Sequence, residues 1–476
     1  MSDTIKFILN DAPREISGID PTVTVLQYLR EHARLKGTKE GCAEGDCGAC
    51  TVVLGETVNG ETRYKAVNAC IMFIPVLDGK HLITVEHLRD KQSGALHPVQ
   101  QAMVDCHGSQ CGFCTPGFVM SLYALGHNKE NPDETDIQNA IAGNLCRCTG
   151  YRPILDAARQ MGGFKISDNK LLQDLQRNTG LAYEADGIKF FAPRKAHEFS
   201  ALLADYPDAV ILSGGTDVGL WVTKHHKELP VVIYTGEIAS LRHVNETDDV
   251  IEIGASVSYT DAFAHLAKFD DSLAELLQRF ASVQIRNSGT LGGNIANGSP
   301  IGDGAPFLIA LGAQLVSRKG DATRTIPIED YFIAYGKQDL RAGEFLEKII
   351  VPKKPDDVLF KTYKLSKRFD QDISAVCGAY ALTIDNGIIT AARIAYGGMA
   401  ATPKRAAHAE NSLTGKSWTK ETCRTAMNAL KEDYTPLTDM RASAVYRMQT
   451  AQNLLYRFFI ETTEPDTETR VYDYAG

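Results

Sequence analysis

The chain has 476 residues, with 50 Lys and Arg against 59 Asp and Glu, and its formal charge of −9 argues against nucleic acid as a main partner. Hydrophobic residues at 44% and charged residues at 23% exclude a disordered or fibrous chain, and at roughly 100–200 residues per domain the length predicts three or four domains. No apolar run reaches the roughly 18 residues that span a membrane, and the start, Met1-Ser-Asp-Thr-Ile-Lys-Phe, lacks a secretory pattern, so no membrane contact and a cytoplasmic location are expected.

The chain opens with alternating Ile5, Phe7 and Leu9, a turn at Asn10-Asp11 and a return over 14–18, which predicts a β-hairpin. Val25, Leu26, Leu29 and Ala33 then share one helical face after Pro21, with Gly37 as the stop. The Gly-rich loop Gly-Cys-Ala-Glu-Gly-Asp-Cys-Gly-Ala-Cys (41–50) follows, and strands are expected at 51–54, 63–67 and 81–85. From His97 the pattern turns helical, with helices expected over 98–106, 116–127, 134–145 and 153–161; Pro98, Pro116 and Pro153 sit in first turns, where a missing N–H is harmless. Residues 163–185 are polar and irregular and read as a linker.

Beyond it, strand-like runs at 209–212 and 231–234 alternate with helical stretches at 259–267 and 271–280, giving a third region over 186–355. The last region, 356–476, starts with strands expected at 374–383 and 388–396 and becomes helical over 420–431 and 440–460. The fold class expected is multidomain α+β.

Nine of the eleven cysteines fall between Cys42 and Cys148, which in a reduced intracellular chain points to metal and not to disulfides. Cys42, Cys47, Cys50 and Cys70 have the C-x4-C-x2-C spacing with a distant fourth ligand of plant-type 2Fe-2S sites. Gly41, Gly45 and Gly48 let backbone N–H groups approach the sulfurs without Cβ clashes. Cys111, Cys114, Cys146 and Cys148 form a second set, in which each pair precedes a helix whose N-terminus favours anionic charge. Its spacing alone leaves iron–sulfur or zinc open. Cys106 is expected to pack on its helix, and Cys377 and Cys423 to be buried as small hydrophobes.

The order of these motifs, with the 41–50 loop and Asn144-Leu-Cys-Arg-Cys-Thr-Gly-Tyr-Arg-Pro153, resembles the molybdenum hydroxylases, which include xanthine dehydrogenases, aldehyde oxidases and carbon monoxide dehydrogenases. The resemblance implies a β-grasp 2Fe-2S ferredoxin domain over 1–90 and a four-helix 2Fe-2S domain over 91–162. Two Gly-rich segments extend it. Ile211, Leu212, Ser213, Gly214, Gly215, Thr216, Asp217 and Val218 follow an apolar strand, and 289–304 interleaves glycines with Asn294, Asn297, Ser299 and Asp303. Such loops can offer concave arrays of N–H groups to pyrophosphate; no G-x-G-x-x-G follows a strand, so a Rossmann site is not expected. By resemblance, which also covers Tyr396-Gly-Gly-Met-Ala-Ala-Thr-Pro-Lys-Arg405, these segments belong to a two-part α+β FAD domain (186–355) and a C-terminal α+β flavoprotein domain (356–476). It assigns FAD contacts to residues 211–218, Phe280, Thr290, Gly293, Asn294, Asp303, Leu346 and Lys364.

Clusters that carry single electrons beside a flavin that takes two make a relay. No large molybdopterin-binding segment is present, so the resemblance implies the iron–sulfur and FAD small subunit of a bacterial enzyme of the xanthine dehydrogenase branch. No catalytic residue is then expected on this chain. Its partner would be a large molybdopterin-binding subunit, in a heterotetramer of two small and two large chains. Hypoxanthine and xanthine would be oxidised to urate, with NAD+ as the electron acceptor. An aldehyde or N-heterocycle hydroxylase subunit is the alternative within the family; a free-standing flavin–iron–sulfur reductase and a zinc-stabilised scaffold are the alternatives outside it.

Overall fold

The computed structural model describes residues 1–58, 60–166, 171–175 and 177–470. It divides into two compact units, the first made of Met1–Ser240, Ser258–Thr260 and Ala281–Thr290, the second of Leu241–Val257, Asp261–Phe280 and Leu291–Gly476. The division passes through the 186–355 region. No helix among the described residues is long and apolar enough to cross a membrane.

In the first unit the expected hairpin pairs Ile5–Leu9 with Ala12–Ile16, and Ile5–Leu9 runs parallel to His81–Ile83. The strands Thr51–Val58 and Glu61–Asn68 complete a five-stranded sheet, both longer than their sequence patterns suggested. The helix after Pro21 forms as Val25–Gln27 with a Thr24–Gln27 capping box, continues as a π turn over Tyr28–His32, and ends there and not at Gly37. Alternation decides which face each residue serves. Val52 and Leu54 join Ile5, Phe7, Val25 and Leu29 in one core, whereas Val53 and Ile83 pack on the other face with Phe118 and Leu122 of the helical module. The strand Thr51–Val58 is therefore buried on both sides.

The four helices form at Pro98–Asp105, Thr115–Asn128, Glu134–Ile141 and Arg152–Gln160. The third stops short of its expected end because the chain turns at 142–144, which carries the Leu145 N–H to the Cys47 carbonyl at 3.0 Å. The expected linker is not irregular throughout. Within it Leu181–Ala185 is a strand paired with Ile188–Ala192, because Leu181, Tyr183 and Ala185 alternate into the core; residues 167–170 and 176 lie outside the described residues. Val210–Leu212 and Val231–Tyr234 extend this sheet in parallel.

In the second unit an antiparallel sheet runs in the order Val244–Glu246, Val250–Gly254, Phe345–Pro352, Gln314–Lys319, Ala322–Pro327. A second sheet holds Val358–Leu365, Val376–Asp385, Ile388–Gly397 and Lys404–Arg405. Helices Lys420–Asp433 and Ala444–Thr463 supply Cys423, Leu430, Leu455 and Phe458 to the core of that sheet. Together the modules are the expected multidomain α+β architecture.

Candidate iron–sulfur and flavin sites

The loop 41–50 joins the first helix to the strand Thr51–Val58, and Cys70 follows the strand Glu61–Asn68. Backbone N–H groups of Glu44, Asp46 and Cys47 donate to Cys42 Sγ at 3.5, 3.3 and 3.3 Å, and Asn68 Nδ2 donates to Cys50 Sγ at 3.6 Å. Gly45 and Gly48 take positive φ of 80° and 68°, which turns the backbone amides toward the sulfurs. The four thiols are neighbours, Cys42 beside Cys47 and Cys70, and Cys50 beside Cys70. The Cys47 contact and the backbone donors hold the Cys42 thiol far below its usual range, while its partner Cys47 is pushed up. Cys50 and Cys70 are buried.

The second set lies at two helix entries. Cys114 caps Thr115–Asn128, and Cys146 and Cys148 precede Arg152–Gln160. The Cys111 thiol lies beside Cys148, and Cys114 beside Cys146. Burial and the neighbouring Cys146 push Cys114 up to about 12. Cys146 Sγ contacts the Thr149 hydroxyl at 3.2 Å, and its backbone N–H donates to the Tyr151 hydroxyl at 3.0 Å. No three His, Cys, Asp or Glu side chains among the described residues are arranged to hold one metal ion. Four neighbouring thiols per set, with N–H or O–H groups on Cys42, Cys50 and Cys146, have the donor chemistry that a 2Fe-2S cluster requires. Cys106 sits at the edge of the helical core, and Cys377 and Cys423 are buried, as expected.

The two sets adjoin through backbone. Besides the Leu145–Cys47 bond, Asn144 Nδ2 donates to the Gly48 carbonyl at 3.1 Å. On its other side the 41–50 loop meets the first Gly-rich segment, for Thr223 Oγ1, on the helix Val218–Thr223, donates to the Ala43 carbonyl at 2.8 Å.

Within the first unit the two Gly-rich segments also come together. A Cβ on Gly214 would stand 2.1 Å from the Ser288 carbonyl oxygen, so only glycine permits the approach. Thr290 Oγ1 donates to Ser213 Oγ at 3.2 Å, and Asp217 accepts from Trp221 Nε1 at 3.0 Å. Of the other expected flavin residues, Phe280, Gly293, Asn294, Asp303, Leu346 and Lys364 lie in the second unit. Asp303 and Lys364 are ion-paired at 2.6 Å with side chains 6% and 1% exposed. Ser374 Oγ donates to the second Asp303 oxygen at 2.6 Å and accepts from Lys364 Nζ at 2.8 Å. Ser374 carried no signal in the sequence. Leu346 is buried on the strand Phe345–Pro352, and Phe280 closes the helix Asp271–Arg279.

These modules define an iron–sulfur flavoprotein. Residues 7–74 match the 2Fe-2S iron-sulfur cluster binding domain, 84–159 a second 2Fe-2S binding domain, 185–354 the FAD binding domain in molybdopterin dehydrogenase, and 361–462 the CO dehydrogenase flavoprotein C-terminal domain. The chain belongs to the molybdenum hydroxylase family, of which it carries the 2Fe-2S and FAD modules. It is similar to xanthine dehydrogenase of Emericella nidulans, 33% identical over 96% of this chain and 38% of that protein, and to xanthine dehydrogenase of Oryza sativa subsp. japonica, 32% identical over 93% and 38%. It thus spans about two-fifths of the length of these relatives. Among solved structures it resembles carbon monoxide dehydrogenase from Hydrogenophaga pseudoflava, with a TM-score of 0.54 and 28% identity over 57% of this chain and 95% of that one. It also resembles quinoline 2-oxidoreductase from Pseudomonas putida 86, with a TM-score of 0.52 and 25% identity over 57% of this chain and 94% of that one.

Proposed function

We propose that this chain is the electron-relay subunit of a xanthine dehydrogenase, working with a separate large subunit that holds a molybdopterin cofactor and oxidises hypoxanthine and xanthine to urate. When bound, two 2Fe-2S clusters supply one-electron chemistry and FAD two-electron chemistry, with NAD+ as the final acceptor. Cys42, Cys47, Cys50 and Cys70 would hold one cluster and Cys111, Cys114, Cys146 and Cys148 the other. FAD would be bound by residues 211–218 and Thr290, together with Phe280, Gly293, Asn294, Asp303, Leu346 and Lys364. A cytoplasmic heterotetramer of two small and two large chains is the assembly this reading favours.

The observation that carries the reading is the order of contacts in the first unit. The second cysteine set touches the first through Leu145–Cys47, and the first touches, through Ala43–Thr223, the helix Val218–Thr223 that continues the flavin segment. The second set also lies at the surface. Cys111 and Cys148 are exposed beside exposed Phe113 and Leu145, whereas Cys50 and Cys70 are buried. Electrons from another chain are therefore best admitted at the second set. The resemblance to quinoline 2-oxidoreductase supports a second reading, a relay for another N-heterocycle hydroxylase. Co-expression with the adjoining large subunit, followed by a panel of hypoxanthine, quinoline and aldehydes with NAD+ or dye, tests both. Urate formation coupled to NADH is expected, and turnover of quinoline alone would favour the second reading. The chain by itself should reduce dye with NADH and leave hypoxanthine untouched.

A further inference from the structure

Gln284 is fully buried on the helix Val283–Ser288. Its Nε2 lies 3.2 Å from Thr51 Oγ1, 3.0 Å from Ser121 Oγ and 3.1 Å from Asn144 Oδ1, so the two N–H donors of one amide are shared among three oxygens. Those oxygens are bonded to one another and to the cysteine loops. Ser121 donates to Asn144 Oδ1 at 2.7 Å, and Thr51 donates to the Gly48 carbonyl at 2.6 Å. Asn144 Nδ2 reaches the same Gly48 carbonyl.

Each partner lies on a segment that carries a sulfur ligand. Thr51 follows Cys50, Gly48 follows Cys47, Asn144 lies just ahead of Cys146, and Ser121 sits on the helix that Cys114 caps. Gln284 comes from a third part of the sequence, just ahead of the second Gly-rich segment. One amide therefore ties both cysteine loops together.

The arrangement is kept at some expense to stability. Gln284 Oε1 has no hydrogen-bond partner among the described residues, and it faces Gly143, where a Cβ would stand 2.1 Å away. A buried acceptor without a partner is destabilising, and a leucine would avoid it. A connected polar network, in return, specifies one geometry where apolar packing tolerates several.

We propose that Gln284 is a positioning residue that fixes the separation of the two cysteine loops and thereby sets the electronic coupling between the clusters they hold. The proposal rests on reading both cysteine sets as cluster ligands. Electron exchange between two centres falls steeply with their separation, so a small shift of one loop has a large effect on rate.

The test is Gln284→Leu in the full chain. Iron content and two separable EPR signals in the unaltered protein first establish both clusters; their absence would overturn the underlying reading and not the role of Gln284 alone. In the variant, both signals should keep full intensity while the magnetic interaction between the reduced clusters changes. Equilibration between them after pulsed reduction should slow by about tenfold or more. Asn287→Ala is the control. Asn287 lies on the same helix and loses its bond to the Ala66 carbonyl, at 2.9 Å, and the one it accepts from Thr260 Oγ1, at 2.7 Å, neither of which touches a cysteine loop, so the interaction should stay as in the unaltered protein. Should Gln284→Leu fail to fold, Thr51→Val removes one acceptor with little change of shape and should shift the interaction in the same direction. An unaltered interaction in the folded variant overturns the proposal. So does an equal change in Asn287→Ala, which would reduce Gln284 to general domain docking.

Discussion

Lys364 carries its charge into a place that leaves 1% of its side chain exposed, and the same strand position would otherwise favour a hydrophobic residue. Asp303 and Ser374 make the charge tolerable, since the carboxylate pairs with the ammonium through one oxygen and accepts the Ser374 hydroxyl through the other. Removing one member of a buried pair leaves the other charge uncompensated, at about 3–5 kcal/mol. Asp303→Ala is therefore expected to destabilise the second unit by that amount and to release FAD, while both iron–sulfur signals, whose ligands all lie in the first unit, persist. Flavin occupancy by absorbance, thermal unfolding and EPR on one preparation check this. Full occupancy at unaltered affinity would remove Asp303 from the flavin site.

At the scale of elements, the helix Thr115–Asn128 shows where local propensity yields to packing. Replacing a helical glycine by alanine ordinarily stabilises by about 1 kcal/mol. At Gly117, however, the added Cβ would stand 2.2 Å from the Gly48 carbonyl oxygen, a backbone atom fixed by Thr51 and Asn144. Gly117→Ala is expected to cost about 1–3 kcal/mol through overpacking. It should also lower the iron content of the second set; a raised melting temperature with full iron would show that the helix is free to shift. The same contrast between local and distant partners explains what the sequence disclosed. The cysteine loops were legible because Cys42, Cys47 and Cys50, and each pair of the second set, are spaced within a few residues and glycines mark the turns, and three of the four helices because Pro98, Pro116 and Pro153 open them. The strand Val358–Leu365 escaped notice because buried Thr362 and Lys364 break its hydrophobic alternation, one bonded to Ser272 and the other to Asp303. Leu181–Ala185 alternates correctly, but it is short and set in a polar stretch. Gln284 was out of reach for a different reason. Its three partners are 233, 163 and 140 residues away in sequence, and no local pattern encodes such a meeting.

For the whole molecule, exposed Cys111 and Cys148 in the second set and buried Cys50 and Cys70 in the first give the proposed relay a direction, and Cys148 is the residue at which that direction can be tested. It is exposed, its thiol lies beside Cys111, and the neighbouring Phe113 and Leu145 are exposed apolar side chains. Cys148→Ala removes one of four thiolate ligands, and alanine offers no substitute. The site formed with Cys111, Cys114 and Cys146 should lose its cluster or hold it poorly. The Cys42 set has its own loop and its own backbone donors to Cys42 Sγ, and Asp303 and Lys364 lie in the other compact unit, so both should be spared. In the complex with the molybdopterin subunit, purine should then no longer reduce the flavin at a useful rate. NADH should still reduce an artificial dye, because that reaction enters at the flavin. Rapid-mixing reduction by hypoxanthine beside steady-state NADH–dye turnover, on one preparation with its iron counted, separates the two. Normal purine-driven reduction of the flavin with the second cluster missing would mean that electrons enter the chain at the first set, and the surface around Phe113 and Leu145 would lose its place in the route.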